Sequence, residues 1–448
     1  MVSVATTLGR RLGTADAVVL GLSAVLGAGI FAVFAPAAAV AGPWLMLSVV
    51  LAAAVAGCCA ASAADLAASR EGETRDHDVG YDAARERLHP AVGRLCGVAH
   101  LTGEIAVAAA AAGIFGTYVL PTRPLVVAIV VIVVMTALNL FSVRPTPRAA
   151  WSLVGGIGAV LLVVVVVGLL GPGGAGTPSV SAATDQPVSM SPGLLPITRE
   201  LGVFTGAGLI FFGFAGFSRV VGLGEELRAP TRTRGRAIAI VIGIATAAYL
   251  AVCGALLVGL GTDRLAVERS PLVALVDTGR APALGVLVRI GAAVAAGSTL
   301  LAVLAAVAAT TAAMAVRGDL PRIVARRCGS GAAWRADIAG MVLAILVVVL
   351  AGTWGAIALA ACALLVDFVV VHLAALRLPR AGRTWRMWLA GVGVVLCGFL
   401  ALSMPPRTVL ITACAIGGGW LLTTAVSLRS RRAESQDGQA AAPDERAA

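Results

Sequence analysis

Long apolar segments alternate with short polar segments along most of the chain. The first apolar run, residues 17–64, contains no charged residue, and it has room for two membrane-spanning helices of about 20 residues each. Stretches rich in Gly, Pro or charged residues separate the later apolar segments. The pattern predicts an all-α polytopic membrane protein with about twelve transmembrane helices. They cover residues 16–40, the segment between the Gly42–Pro43 turn and Asp65, 91–118, 124–143, 149–170, 201–223, 237–260, 283–316, 338–351, 355–376, 388–403 and 408–428.

Glycine pairs interrupt two of these helices near their middle, Gly27 and Gly29 in the first and Gly213 and Gly216 in the sixth. A broken helix in a bilayer is tolerated only where its freed backbone groups line a cavity or face protein. Breaks at corresponding positions, five helices apart, indicate two inverted five-helix repeats around a shared binding site. Close packing of small residues is the alternative explanation for either pair.

These features divide the chain into six parts. They are a cytoplasmic N-terminus (1–15), a first five-helix repeat (16–170), an external loop rich in Gly, Pro, Ser and Thr (171–200), a second five-helix repeat (201–376), two further helices (377–428) and a disordered cytoplasmic tail (429–448).

Composition and charge support a membrane location. The 448 residues are 59% hydrophobic and 13% charged, which excludes an ordinary soluble domain and a disordered chain. The net charge is +11, but every basic residue is Arg and these cluster in alternate loops, so we expect no nucleic-acid partner. Twenty-six Arg lie on the side of the termini and six on the other. This asymmetry predicts a multi-pass protein of the cell membrane with both termini cytoplasmic.

The sequence shows no pattern typical of an enzyme. The eight Cys are scattered, mostly in apolar segments, without metal-ligand spacing, so we interpret them as small buried hydrophobic residues and expect no metal and no cofactor. The four His form no catalytic cluster with Ser or Glu. Because the chain has no Lys, it has no phosphate-binding loop for ATP.

Several motifs, in order along nearly the whole chain, resemble amino acid permeases of the amino acid–polyamine–organocation (APC) transporter superfamily. They are G-A-G-I-F (27–31), A-G-P-W (41–44), L-N-L-F-S-V-R (138–144), F-F-G-F-A-G-F (211–217), E-E-L-R-A-P (225–230) and A-M-A-V-R-G-D-L-P (313–321). The resemblance implies a LeuT-like fold of two inverted five-helix repeats plus two extra helices. It also implies secondary active transport of amino acids by alternating access. A polyamine or cationic amine carrier is the main alternative, and a non-transporting membrane protein is a further one.

The resemblance also implies a substrate site made of backbone at the breaks, with Gly27, Gly213 and Gly216 permitting the close approach. The substrate carboxylate is expected at the amides of Ala28, Gly29 and Ile30, and its amino group at carbonyls near Ser23, Val25, Phe212 and Ala215. Phe212 or Phe214 is expected to act as a gate. The sequence departs from the family at Ser218 and Arg219, where many members have an acidic residue.

Ionisable residues inside the membrane are costly and mark functional candidates. Glu104 and Asp367 are candidates for substrate-amine or proton binding, and Arg289 is a possible partner of Asp367. Arg219 could pair with either carboxylate, or it could extend its side chain into the cytoplasmic vestibule. Adjacent hydroxyls at Ser298 and Thr299 suit a possible sodium site. The coupling ion is therefore H⁺ or Na⁺, or an exchanged substrate.

Two weaker signals concern selectivity and gating. Small residues near 108–112 suggest a site for neutral amino acids. Carboxylates at the predicted cytoplasmic helix ends, Asp16, Asp65, Glu225 and Glu226, are expected to form gate salt bridges with loop Arg residues.

Overall fold

The computed structural model describes residues 13–70, 79–141, 147–170, 202–222, 230–278, 283–325, 333–379 and 387–440. The predicted external loop (171–200), Glu225 and Glu226 lie outside the described residues, as do 1–12 and 441–448. All regular structure in the described ranges is helical.

The first half of the chain contains eight α-helices. They are α1 (Thr14–Val25), α2 (Gly29–Ala32), α3 (Phe34–Ala41), α4 (Leu45–Ala68), α5 (Val79–Arg87), α6 (Pro90–Val119), α7 (Pro124–Leu140) and α8 (Pro147–Leu170). The predicted Gly42–Pro43 turn forms a short 3₁₀ helix between α3 and α4.

The second half contains eight more. They are α9 (Gly202–Phe214), α10 (Ser218–Gly222), α11 (Pro230–Val267), α12 (Pro271–Thr278), α13 (Leu284–Val316), α14 (Trp334–Leu376), α15 (Met387–Ser403) and α16 (Pro406–Ala440). Helix α16 continues through residues 429–440, which the sequence analysis assigned to a disordered tail. The run of residues 429–440 contains no Pro, the residue that most strongly breaks a helix.

Nine helical segments in the described residues are long and apolar enough to cross a membrane, and α7 and α15 are shorter apolar helices. The longest segment, α14, has 43 residues. Its Gly352 has φ of 66°, and Gly261 in α11 has φ of 72°. Glycine adopts this left-handed conformation without steric cost, and both residues interrupt their helices where the sequence analysis placed helix ends. The protein is thus an all-helical, polytopic membrane protein.

Small residues line the contact between α6 and α14 at the centre of the bundle. Gly103 faces Leu364 and Gly113 faces Thr353 so closely that a methyl group on either glycine would collide with its neighbour. The alanines at 108–112 are fully or almost fully buried. Large apolar side chains instead cover outer helix faces, as at Leu350 and Leu402. In membranes, small residues let helices approach closely while large apolar residues meet lipid.

An ion-pair network joins α5 to the end of α13. Asp319 is 1% exposed and accepts hydrogen bonds from Tyr81 at 2.6 Å and Arg85 at 2.5 Å. Arg317 pairs with Asp82 at 2.8 Å. Burial, together with the bond to Asp319, raises the pKa of the Tyr81 hydroxyl well above its ordinary value, so Tyr81 stays protonated and donates at neutral pH.

The network uses different carboxylates from those expected at the gate. The Asp16 side chain accepts from the Gly13 amide at 3.3 Å and from Trp151 Nε1 at 3.4 Å, because it lies in the first turn of α1, where a carboxylate caps free amides. Asp65 is 6% exposed. At this end of the bundle, Arg70 pairs with Glu86, Arg85 with Asp319 and Arg317 with Asp82.

We predict that Asp319→Asn lowers the thermal unfolding midpoint of the detergent-purified protein. Removing one partner of a buried ion pair leaves the other charge uncompensated, at a cost on the order of 3 kcal/mol. Asp277→Asn is the matched control, because Asp277 is exposed on α12. Equal midpoints for Asp319→Asn and the parent protein would show that the network contributes no stability.

Candidate functional site

Two interrupted helices form the centre of the site. Helix α1 ends at Val25 and α2 begins at Gly29, while α9 ends at Phe214 and passes through a 3₁₀ turn into α10. Both interruptions occur at the glycines identified in the sequence. Each interruption frees amides and carbonyls that a continuous helix would pair.

The two interruptions contact each other through their backbones. A Cβ atom on Gly29 would lie 2.5 Å from Gly213 Cα. A Cβ atom on Gly216 would lie 2.5–2.7 Å from backbone atoms of Ala24 and Val25. Only glycine allows backbones to come this close, so these glycines are required where the two interrupted helices cross.

A cavity of about 270 Å³ lies against this crossing. Ten of the predicted site residues line it: Ser23, Ala28, Gly29, Glu104, Phe212, Gly213, Ala215, Gly216, Ser298 and Thr299. Helices α6, α8 and α13 complete the wall with small or aliphatic side chains: Val107, Ala149, Ala150, Leu153, Ala302, Val303 and Ala306. Five predicted residues are not in the lining: Val25, Gly27, Ile30, Phe214 and Asp367. The alanines at 108–112 are not in it either.

Thr299 links α13 to the interruption between α1 and α2. Its hydroxyl accepts a hydrogen bond from the Ala28 amide at 3.1 Å and donates one to the Ala295 carbonyl at 2.9 Å. A Cβ atom on Gly27 would collide with the same hydroxyl. Ser298 donates to the Ala295 carbonyl at 2.9 Å. The structure therefore brings both predicted hydroxyls to the interruption, and it engages the Ala28 amide within the protein.

Two tyrosines, which the sequence analysis missed, bond carbonyls beside the interruption. Tyr249 of α11 donates to the Val25 carbonyl at 3.3 Å, and Tyr118 of α6 donates to the Phe31 carbonyl at 2.7 Å. The chain has only three Tyr. A buried Tyr hydroxyl needs a hydrogen-bond partner. The presence of two Tyr within apolar helices was therefore the sequence feature from which these contacts could have been predicted.

The two predicted gate aromatics have different surroundings. Phe212 lines the cavity. Phe214 is 1% exposed and stacks on Tyr249, with ring centroids 4.7 Å apart. Tyr249 also fills the space beside Gly213, where a Cβ atom would collide with its ring. Of the two, only Phe212 is positioned against the cavity.

Glu104 of α6 and Arg219 of α10 are the charged residues in the cavity lining. They carry opposite charges and interact electrostatically. Arg219 therefore lies in the electrostatic field of Glu104. Since opposite charges in a low-dielectric cavity compensate each other, the pair leaves the lining with no net formal charge.

Asp367 lies elsewhere, and its predicted pairing with Arg289 is wrong. Its carboxylate accepts from Cys96 Sγ at 3.0 Å and lies 3.1 Å from His100 Nδ1. Arg289 instead donates to the Tyr118 carbonyl at 3.3 Å. Asp367 on α14 and Arg289 on α13 each form hydrogen bonds with residues of α6, because α6 packs against both helices. They therefore do not pair with each other.

Comparison with known proteins identifies related chains. The family described as "Amino acid permease" matches residues 12–412. An uncharacterized transporter of Mycobacterium tuberculosis is 37% identical over 440 residues, which covers 96% of this chain and 95% of that protein. A counterpart in Mycobacterium bovis matches equally. The branched-chain amino acid permease BcaP of Bacillus subtilis is 28% identical over 269 residues, covering 55% of this chain and 54% of its own length.

We predict that Gly29→Ala destabilises the protein, because its methyl group would press on the backbone at Gly213. Overpacking of this kind costs about 1–3 kcal/mol. Gly243→Ala is the control: Gly243 lies on an exposed face of α11 with open space around it. The thermal unfolding midpoint should fall for the first variant and stay constant or rise for the second. The opposite order would contradict the backbone contact.

Proposed function

Because the chain belongs to the amino acid permease family, we propose that it is a secondary active transporter that moves amino acids across the cytoplasmic membrane by alternating access. The observation that carries this proposal is the cavity at the crossing of two interrupted helices. Transporters bind substrate where discontinuous helices from two repeats meet near the middle of the bilayer. An enzyme or a passive scaffold has no need of paired interruptions.

The proposed architecture is LeuT-like, with twelve transmembrane helices in two inverted five-helix repeats plus two more. Helices α1–α8 would form the first repeat and α9–α14 the second, with Gly352 dividing α14 into two spans. The interruptions in the first and sixth spans occupy corresponding positions, which supports an internal repeat. The excess of Arg on the side of the termini supports cytoplasmic termini.

The substrate would be held mainly by backbone groups at the interruptions. The amide of Gly29 at the start of α2, which lines the cavity, would bind the carboxylate, since free helix N-terminal amides attract anions. The Ala28 amide, which already donates to Thr299, would contribute only if that bond opens. Carbonyls near Ser23, Phe212 and Ala215 would accept from the amino group, and Phe212 would close over the bound molecule.

We propose neutral aliphatic amino acids as the substrate class. The small and aliphatic residues of the lining suit an apolar side chain, and Arg219 offsets the charge of Glu104. A cationic amine would need an acidic site in which a carboxylate is free to bind it, so this pairing disfavours the polyamine alternative. The relative named as a branched-chain amino acid permease supports the same class.

Transport into proteoliposomes tests the proposal directly. Purified protein reconstituted with internal leucine should exchange it for external radiolabelled leucine, isoleucine or valine. Arginine and putrescine should compete weakly. Protein-free liposomes control for leakage, and a thermal unfolding scan confirms that the protein is folded. Folded protein that exchanges neither amino acids nor amines would refute transport, and preferential exchange of putrescine would favour the cationic alternative.

Glu104 is the proposed site of proton coupling, because it is the carboxylate of the cavity lining. We predict that Glu104→Gln removes the stimulation of uptake by an inward proton gradient, while exchange at equal pH on both sides continues. The control is Glu86→Gln, whose side chain is 49% exposed on α5, where an ion pair contributes little. Stimulation by a sodium gradient alone would instead favour coupling at Ser298 and Thr299.

A further inference from the structure

Three soft metal-ligating side chains meet in the bundle, apart from the residues that line the cavity. Cys59 belongs to α4, His372 to α14 and Cys397 to α15, and all three are buried. The Cys59 sulfur lies 3.4 Å from the Cys397 sulfur and 3.6 Å from His372 Nε2. The three ligand atoms all lie within 4.8 Å of one another.

These separations match the edges of a tetrahedral coordination sphere. With metal–sulfur bonds of about 2.3 Å and metal–nitrogen bonds of about 2.0 Å, a tetrahedral Zn²⁺ ion separates its ligand atoms by about 3.5–3.8 Å. The two measured separations therefore need only small side-chain adjustments to accept an ion. Zinc also accepts three protein ligands together with one water molecule.

The surroundings of His372 orient its ring toward the sulfurs. Its Nδ1 atom lies 2.8 Å from the Ser62 hydroxyl, which leaves Nε2 facing Cys59. Metal-binding histidines usually hold their second nitrogen in such a hydrogen bond. Gly393 clears space for the ring, since a Cβ atom there would collide with it. Ser62 and Gly393 thus give the histidine the position and orientation of a ligand.

Charge balance favours a divalent ion in this apolar location. An isolated charge in the interior is costly, but two thiolates and a neutral imidazole around a divalent cation carry no net formal charge. Thiolate and imidazole ligands select thiophilic ions such as Zn²⁺ over Mg²⁺ or Ca²⁺. His372 lies four residues before the end of α14.

We propose that Cys59, His372 and Cys397 form a binding site for a thiophilic divalent metal ion, with Zn²⁺ as the fitting ion. The bound ion would tie α4, α14 and α15 together. The sequence predicts no metal here because its Cys residues show no metal-ligand spacing along the chain. Here the ligands come from three helices that are far apart in the chain.

Metal titration of the detergent-purified protein, treated first with a reductant and a chelator and then desalted, tests this proposal. We expect one Zn²⁺ per chain by elemental analysis. Titration with Cd²⁺ should give a thiolate-to-metal charge-transfer absorption that saturates at the same ratio. Zn²⁺ should also raise the thermal unfolding midpoint, because a ligand that binds the folded state stabilises it.

Variants assign the bound ion to these residues. Cys59→Ser, Cys397→Ser and His372→Gln should each lose the stoichiometric ion. Cys253→Ser should keep it, because Cys253 is a buried thiol outside the cluster. Ser62→Ala retains all three ligands and is the least disruptive change. It should weaken Zn²⁺ affinity by about 10–100-fold, the usual effect of losing such a hydrogen bond.

Three results would overturn the proposal. The first is wild-type protein that binds no Zn²⁺ or Cd²⁺ above the level of Cys59→Ser. The second is binding that survives loss of either cysteine. The third is a Cys59–Cys397 disulfide that persists after the reductant step, which would identify the pair as a cross-link. The thermal unfolding transition of each variant shows whether it is folded. If the ligand variants do not fold, the Zn²⁺ stoichiometry of the wild-type protein and the Zn²⁺ affinity of Ser62→Ala test the proposal.

Discussion

The need to satisfy backbone polar groups inside a bilayer is the constraint on which the rest of this structure depends. An interrupted helix exposes amides and carbonyls that water cannot reach. Here Thr299 accepts from one freed amide, and Tyr118 and Tyr249 donate to carbonyls beside the interruption. The amide of Gly29 lies next to these satisfied groups. Fixed side chains thus satisfy part of the interruption, and the remaining groups are those that we propose for the substrate.

This arrangement is possible only because the two interruptions touch. Gly29 meets Gly213, and Gly216 meets the end of α1, at distances that exclude any side chain. The aromatic packing of Phe214 on Tyr249 then fills the space behind the crossing. Small residues also bring α6 and α14 close together, as at Gly103 and Gly113.

Charged groups in the bundle follow the same rule of local compensation. Arg219 interacts with Glu104 at the cavity. The Asp367 carboxylate accepts a hydrogen bond from Cys96 and lies beside His100. Asp319 accepts hydrogen bonds from Tyr81 and Arg85. Sequence reasoning singled out Glu104, Asp367 and Arg219 among these residues, because an intramembrane charge is costly wherever it lies. It did not identify the contacts of Asp367 or the network around Asp319, since helix packing decides which residues meet.

The sequence by itself determined the all-helical membrane class, the positions of the two interruptions and the family. These features depend on local properties: the length of an apolar run, a glycine at mid-membrane, a motif of a few residues. Only the tertiary structure decided which groups meet. Cys59 lies 313 residues from His372 and 338 residues from Cys397 in the chain, and neither separation carries a local signal. Such contacts follow from how distant helices pack, which depends on all of their faces together rather than on any one segment.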